Sequence, residues 1–124
     1  MQVLFRAKEK NSNNYVIGYE YYNHVEDEYY ITHYVSGSNY KVDRTTISIN
    51  IEDMIDSQGN KIFASLSENG KGGDIIETEF KRVCTVKYKE YFFYADNKDY
   101  HCNCFGFIHS KIIGIQEWTK LKNH

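Results

Sequence analysis

The chain contains no proline. Its turns therefore fall to Gly, Asn, Asp and Ser. Cysteine is scarce, only Cys84, Cys102 and Cys104. An odd count does not suggest a secreted disulfide framework. No apolar stretch approaches the length that spans a bilayer. Met1 to Lys10 has no continuous apolar core of the kind a signal peptide needs, so the cytoplasm is the expected compartment. Charge of one sign is also missing: the formal net charge is −2. Such a chain has no strong field to draw in DNA or anionic lipid, and the sign is mildly adverse for non-specific nucleic-acid binding. There is no Gly-x-Ser-x-Gly, no phosphate loop and no dinucleotide fingerprint. Gly70-Lys71-Gly72-Gly73 lacks the spacing, and the following Ser or Thr, of a phosphate-binding loop. No internal repeat is visible, and no segment sustains apolar spacing at 3.6 residues.

What is abundant is aromatic: 12 Tyr, 7 Phe and 1 Trp. Such residues suit a pleated, half-buried surface, which points to sheet. The 124 residues are enough for one domain with a real core. Short apolar runs alternate with polar turns, as in an all-β meander, sandwich or barrel. Strands are expected at Val3–Ala7, Tyr15–Tyr22, Tyr29–Val35, Tyr40–Val42 and Thr45–Ile51. Further strands are expected at Asp74–Phe80, Val83–Lys89, Tyr91–Ala95, Tyr100–His109 and Lys111–Ile115. In Thr45–Ile51 the isoleucines Ile47, Ile49 and Ile51 alternate with Thr46, Ser48 and Asn50, which reads as a half-buried strand. Ser65–Gly73 reads as a flexible loop.

Eight of the tyrosines fall between Tyr15 and Tyr40. Tyr15, Tyr19 and Tyr21 share one face with Ile17, and Tyr22 lies opposite with Val16 and Gly18. On the next strand Tyr29, Ile31, His33 and Val35 oppose Tyr30, Thr32 and Tyr34. Both faces are aromatic. One reading is cross-strand pairing within a hairpin. The other is a sheet with one face on the body of the protein and one on another subunit, since Tyr buries area and keeps a polar tip.

Several short stretches resemble the YopX family of bacteriophage and prophage proteins. Val3-Leu4-Phe5-Arg6-Ala7-Lys8 is similar to the family's FRAW or FRAK opening, with Gly18 following at the expected remove. Val42 to Ile47 is similar to its VDPETV stretch. Asp56-Ser57-Gln58-Gly59-Asn60-Lys61-Ile62-Phe63 and Gly73-Asp74-Ile75-Ile76 are similar to the two halves of its DKNGKEIYEGDIV core. Ile113-Gly114-Ile115 sits where the family has its IGNIYE strand. Here Ala64 to Gly72 is inserted between the two halves of the core. The resemblance covers most of residues 1–124. It implies an SH3-like small β barrel in the C-terminal half, approximately residues 51–124, preceded by an N-terminal β meander over approximately residues 1–50. It implies a phage or prophage origin and no particular activity. Gly59 would supply the backbone freedom of its turn, and Gly73 would lead Asp74 into a strand of the barrel.

Three constellations could carry chemistry. Cys102 and Cys104 point to one face of a regular strand, with His101 and His109 nearby and Cys84 on another strand. Zinc takes such ligands, but Cys-x-Cys lacks the converging turn of the usual knuckle, and small core residues are the plainer account. Lys81, Arg82, Lys87 and Lys89 interleave with Tyr88, Tyr91, Phe92 and Phe93, as in small barrels that hold single strands. A solvated outer face is the plainer account, given the net charge. Glu26-Asp27-Glu28 beside His24 reads as a charged hairpin tip. The expected function is therefore a non-catalytic interaction module, self-associating through the Tyr-rich region or binding a host or phage protein. A nucleic-acid-binding barrel is the alternative and a Cys/His metal protein the second. No cofactor, no membrane association and no enzymatic activity are expected.

Overall fold

The computed structural model describes residues 2–51, 54–89, 92–97, 100–103 and 107–117. It is mainly β: one curled open sheet forming a half-barrel. The strands are β1 (Val3–Lys8), β2 (Tyr15–Asn23), β3 (Glu28–His33), β4 (Asn39–Val42), β5 (Ser48–Ile51), β6 (Ala64–Ser65), β7 (Asp74–Glu77), β8 (Val83–Lys89), β9 (Phe92–Asn97), β10 (Tyr100–Asn103) and β11 (Lys111–Ile115). Single 3-10 turns occupy Arg44–Thr46 and Phe107–His109. No helix among the described residues is long and apolar enough to cross a membrane.

The order across the sheet is β10-β9-β8-β6-β5-β1-β2-β3-β4, with β7 paired to both β8 and β11. Neighbours are antiparallel except β6 and β8, which meet in parallel at Ser65 and Lys87. The N-terminal strands follow one another as hairpins. At Gly18 strand β2 passes from β1 to β3: Gly18 is opposite Phe5 on one side and His33 on the other. The curl brings the end of β4 back to the end of β1. There the Lys10 N–H donates to Lys41 O at 2.9 Å and the Asp43 N–H to Lys8 O at 2.8 Å. These bonds satisfy backbone groups that an open edge would leave to water.

Two apolar clusters fill the concave side. Ala7, Val16, Ile31, Val42 and Ile47 form one. Ile49, Ile62, Ala64, Ile76, Cys84, Val86, Ala95 and Phe107 form the other. Phe5 packs against both, and Ile47 and Ile49 contribute to one each.

Several segments differ from the sequence expectation. The expected strand Thr45–Ile51 begins only at Ser48, because the Asp43 carboxylate accepts the Thr45 N–H at 3.0 Å and winds Arg44–Thr46 into a turn. Nor is β5 half-buried: Thr46, Ser48 and Asn50 are as buried as the isoleucines. Asn50 Nδ2 donates to the Met54 and Ile62 carbonyls, and Ser48 Oγ to the Arg6 carbonyl, so these polar groups are satisfied inside. The third strand stops at His33, whose Nδ1 accepts the Val35 and Ser36 N–H groups and turns the chain. Asp74–Phe80 shortens to β7, with Phe80 exposed in the following turn. Asp96 and Asn97, expected in a turn, extend β9. Tyr100–His109 is not one strand: β10 ends at Asn103, and His109 lies in a 3-10 turn where the Ser110 N–H donates to Phe107 O.

Candidate interaction surface

The convex face of β2 and β3 carries Tyr19, Tyr21, Tyr30 and Thr32, with Asn39 and Lys41 of β4 beside them. Tyr21 and Tyr30 are directly cross-strand, and their rings stack at 5.2 Å and 8°. Lys41 Nζ lies 5.8 Å from the Tyr30 ring centroid, and the Tyr30 hydroxyl donates to Glu26. That bond pushes the Tyr30 hydroxyl pKa up to about 12. Thr32 Oγ1 bonds Asn39 Oδ1 at 2.7 Å. Lys10 pairs with Glu28 at 2.8 Å at the rim. Tyr19 (49%), Tyr21 (41%) and Tyr34 (46%) remain exposed, as does Val35 (76%) in the adjoining turn. The cross-strand stack holds Tyr21 and Tyr30 in place, so presenting that pair to a partner costs little further side-chain entropy.

The same face of β1 continues inward to a buried polar junction. Arg6 Nη2 donates to the Gly72 carbonyl at 2.9 Å and lies 2.9 Å from Asp74 Oδ1. Its guanidinium lies over Phe63, 4.7 Å from the centroid, and 5.6 Å from that of Tyr15. Asp74 Oδ2 accepts the Phe63 N–H at 2.8 Å. Burial pushes the Asp74 carboxyl above the ordinary carboxylate value, against the opposing pull of Arg6. Burial and the neighbouring Glu117, which accepts the Tyr15 hydroxyl at 3.3 Å, raise Tyr15 to about 12. The junction fastens the segment Ala64–Gly72 to β1. Ser65 Oγ donates to Lys71 O, and Ser67 Oγ to Thr45 O.

A second carboxylate, Asp56, organises the turn around Gly59. Oδ1 accepts the Gln58 and Asn60 N–H groups at 2.9 and 2.8 Å, and Oδ2 accepts the Ile112 N–H of β11 at 3.2 Å. Burial pushes its carboxyl up, but the N–H groups of Asn60, Ile112 and Gln58 outweigh that and hold it below the ordinary value. Gly59 has φ +81°, the left-handed turn position that favours glycine. Gly73 serves differently, by close approach: a Cβ there would lie 2.5 Å from the Val86 carbonyl oxygen.

Three of the four basic residues expected to face nucleic acid are set against a carboxylate. Lys87 pairs with Asp96 at 3.2 Å, Lys89 with Glu68 at 3.3 Å, and Lys81 with Glu77 at 3.8 Å. Arg82 is exposed beside Lys81. Glu68 comes from the Ala64–Gly72 segment, and a Cβ on Gly70 would lie 3.2 Å from Lys87 Cε, so that segment lies against this face. Tyr91 lies outside the described residues. Of the Cys/His set, Cys84 is wholly buried in the apolar cluster and His109 is exposed. The backbone of His101 and Cys102 lies in β10, with Cys102 opposite Ala95. Cys104 lies outside the described residues. Among the described residues no group of three His, Cys, Asp or Glu could hold a metal ion. The hairpin tip Glu26-Asp27-Glu28 is engaged with Tyr30, Tyr22, Arg44 and Lys10.

Sequence reasoning missed the Arg6–Asp74 junction. The signal was present: Arg6 stands between Phe5 and Ala7 in the middle of a strand that is apolar from Val3 to Ala7 apart from it. Comparison with family models, with curated proteins and with solved structures returned no match.

Proposed function

We propose that this chain is a non-catalytic interaction module that self-associates through the convex Tyr-rich face of β2 and β3. The observation behind this reading is the Tyr21–Tyr30 stack with Tyr19 and Tyr34 exposed beside it. Aromatic residues that are exposed yet ordered are typical interface anchors. The flanks carry both signs: Lys41 on one side of Tyr30, Glu26 and Glu28 on the other. A second copy related by two-fold symmetry can oppose Lys41 to Glu26, the self-complementarity an isologous contact needs. The face spans three strands at about 4.8 Å each and roughly six residues at about 3.3 Å, so its flat footprint is about 300 Å². That is less than half of the ~800 Å² per partner of a standard stable interface, so the association is a weak, concentration-dependent one.

This reading is favoured over the nucleic-acid one by the carboxylates set against Lys81, Lys87 and Lys89. It agrees with the YopX resemblance, which carries no catalytic set, and under which residues from about 51 onward form an SH3-like small barrel. Sedimentation velocity over a wide concentration range tests it. The expected result is a monomer–dimer equilibrium that weakens at least tenfold in Tyr19→Ser/Tyr21→Ser. A chain that stays monomeric to millimolar concentration, or dimers unaffected by both changes, would overturn it.

A further inference from the structure

On the opposite, concave side of the same strands sits a carboxylate with no counter-charge among the described residues. Glu20 is half-buried and makes no hydrogen bond or ion pair with any described residue. Its neighbours on the hairpin all do: Glu26 with Tyr30, Asp27 with Tyr22 and Arg44, and Glu28 with Lys10. Glu20 lies opposite Ile31, which lies opposite Tyr40, so the three share the concave face. Tyr22 is the next residue on that face of β2, and Tyr29 and His33 are its diagonal neighbours on β3. Ile31 is fully buried, whereas Tyr22, Tyr29 and Tyr40 are only half-buried and keep ring surface accessible.

A carboxylate held against apolar surface is costly unless an opposite charge joins it. Rings around it favour the same sign, because the face of an aromatic ring attracts cations. The fold already uses one of these rings so: the Arg44 guanidinium lies 5.9 Å from the centroid of Tyr29. Tyr22 and Tyr29, 4.9 Å apart and tilted by 46°, form an aromatic corner on the same face as Glu20. The described cations nearby are engaged elsewhere: Arg44 with Asp27, Lys41 over Tyr30 on the convex face, and Lys10 with Glu28. His33 accepts two backbone N–H groups at Nδ1.

We propose that Glu20, with Tyr22, Tyr29 and Tyr40 around it, forms a subsite for the cationic head of a lysine or arginine side chain presented by a partner protein. The carboxylate takes the charge, and the phenol rings flank the cation and its alkyl stem. The subsite lies on the face opposite the proposed dimer contact and does not depend on it.

Small probes test it: n-butylammonium and n-butylguanidinium, with n-butanol as the neutral control, followed by NMR at low ionic strength. Both cations are expected to give saturable shifts centred on Glu20, Tyr22, Tyr29 and Tyr40. Glu20→Gln, which keeps the shape and removes the charge, should weaken both at least tenfold, and Tyr40→Leu several-fold. Butanol should bind at least tenfold more weakly than butylammonium. The proposal is overturned if no saturable shift occurs up to 50-fold molar excess, if butanol matches the cations, or if Glu20→Gln leaves the midpoint unchanged.

Discussion

Arg6 of the first strand and Asp74 of the seventh, from opposite halves of the chain, place their charges 2.9 Å apart in the interior. Arg6 gives its aligned hydrogen bond to the Gly72 carbonyl, and Asp74 takes one from the Phe63 N–H. Arg6 Nε and Asp74 Oδ1 have no hydrogen-bond partner, so the junction carries some desolvation cost.

Removing one member leaves the other buried and uncompensated. Arg6→Met or Asp74→Leu alone should therefore lower stability by about 3–5 kcal/mol, and the double variant by much less than the sum. Urea unfolding of the three variants measures this. Single changes worth under about 1 kcal/mol would place the junction in the class of solvated ion pairs instead.

Asp56 sets an acid limb on the stability curve. Its carboxyl is depressed in the folded chain, so its contribution is complete above the unfolded value of about 3.9 and is lost as pH falls through the folded value. Asp43, also depressed, acts in the same window, while Asp74, raised by burial, runs the other way. Asp56→Asn should cost about 1–3 kcal/mol at pH 7, because its amide offers one acceptor where the carboxylate offered two. The difference from the parent chain should shrink as pH falls towards 2. A pH-independent difference would show that Asp56 acts through shape and not charge.

Gly59 and Gly73 should respond differently to alanine. At Gly59 nothing lies within 4 Å of where the alanine methyl would stand, so the cost is that of the left-handed backbone alone, about 1–2 kcal/mol. At Gly73 a methyl would meet the Val86 carbonyl at 2.5 Å and the Ser65 amide at 2.8 Å, and backbone must move. Gly73→Ala should fail to fold or lose more than about 3 kcal/mol by thermal or urea unfolding. Equal, small losses at both sites would refute the close-packing role.

Much of the sheet was legible in the sequence. Strands β2, β4, β8 and β11 fall within a residue or two of where alternation and turn residues put them, and the face assignment of the tyrosines holds. Period two tells which residues share a face; it does not tell which strand lies alongside. That β1 lies between β2 and β5, and that β6 meets β8 in parallel, rests on pairings remote in sequence. The same limit hid the second face of β5, where polar Ser48 and Asn50 looked solvated but are buried with their partners. The aromatic face could be read from composition and parity. Glu20 could not be singled out, because a lone carboxylate in a Tyr-rich strand looks like an exposed charge until Ile31 and Tyr40 are placed beside it.

The junction of Arg6 with the Gly72–Asp74 segment also orders events in time. Strands β1 to β4 are joined in succession by short turns, so they can pair as soon as they leave the ribosome. During that interval the guanidinium has no carboxylate to meet and must keep its water. Only once Asp74 has emerged can Arg6 shed that hydration, and the segment Ala64–Gly72 then closes over it. The nascent N-terminal half thus waits, partly curled and still wet on one side, for a charge that the ribosome delivers late.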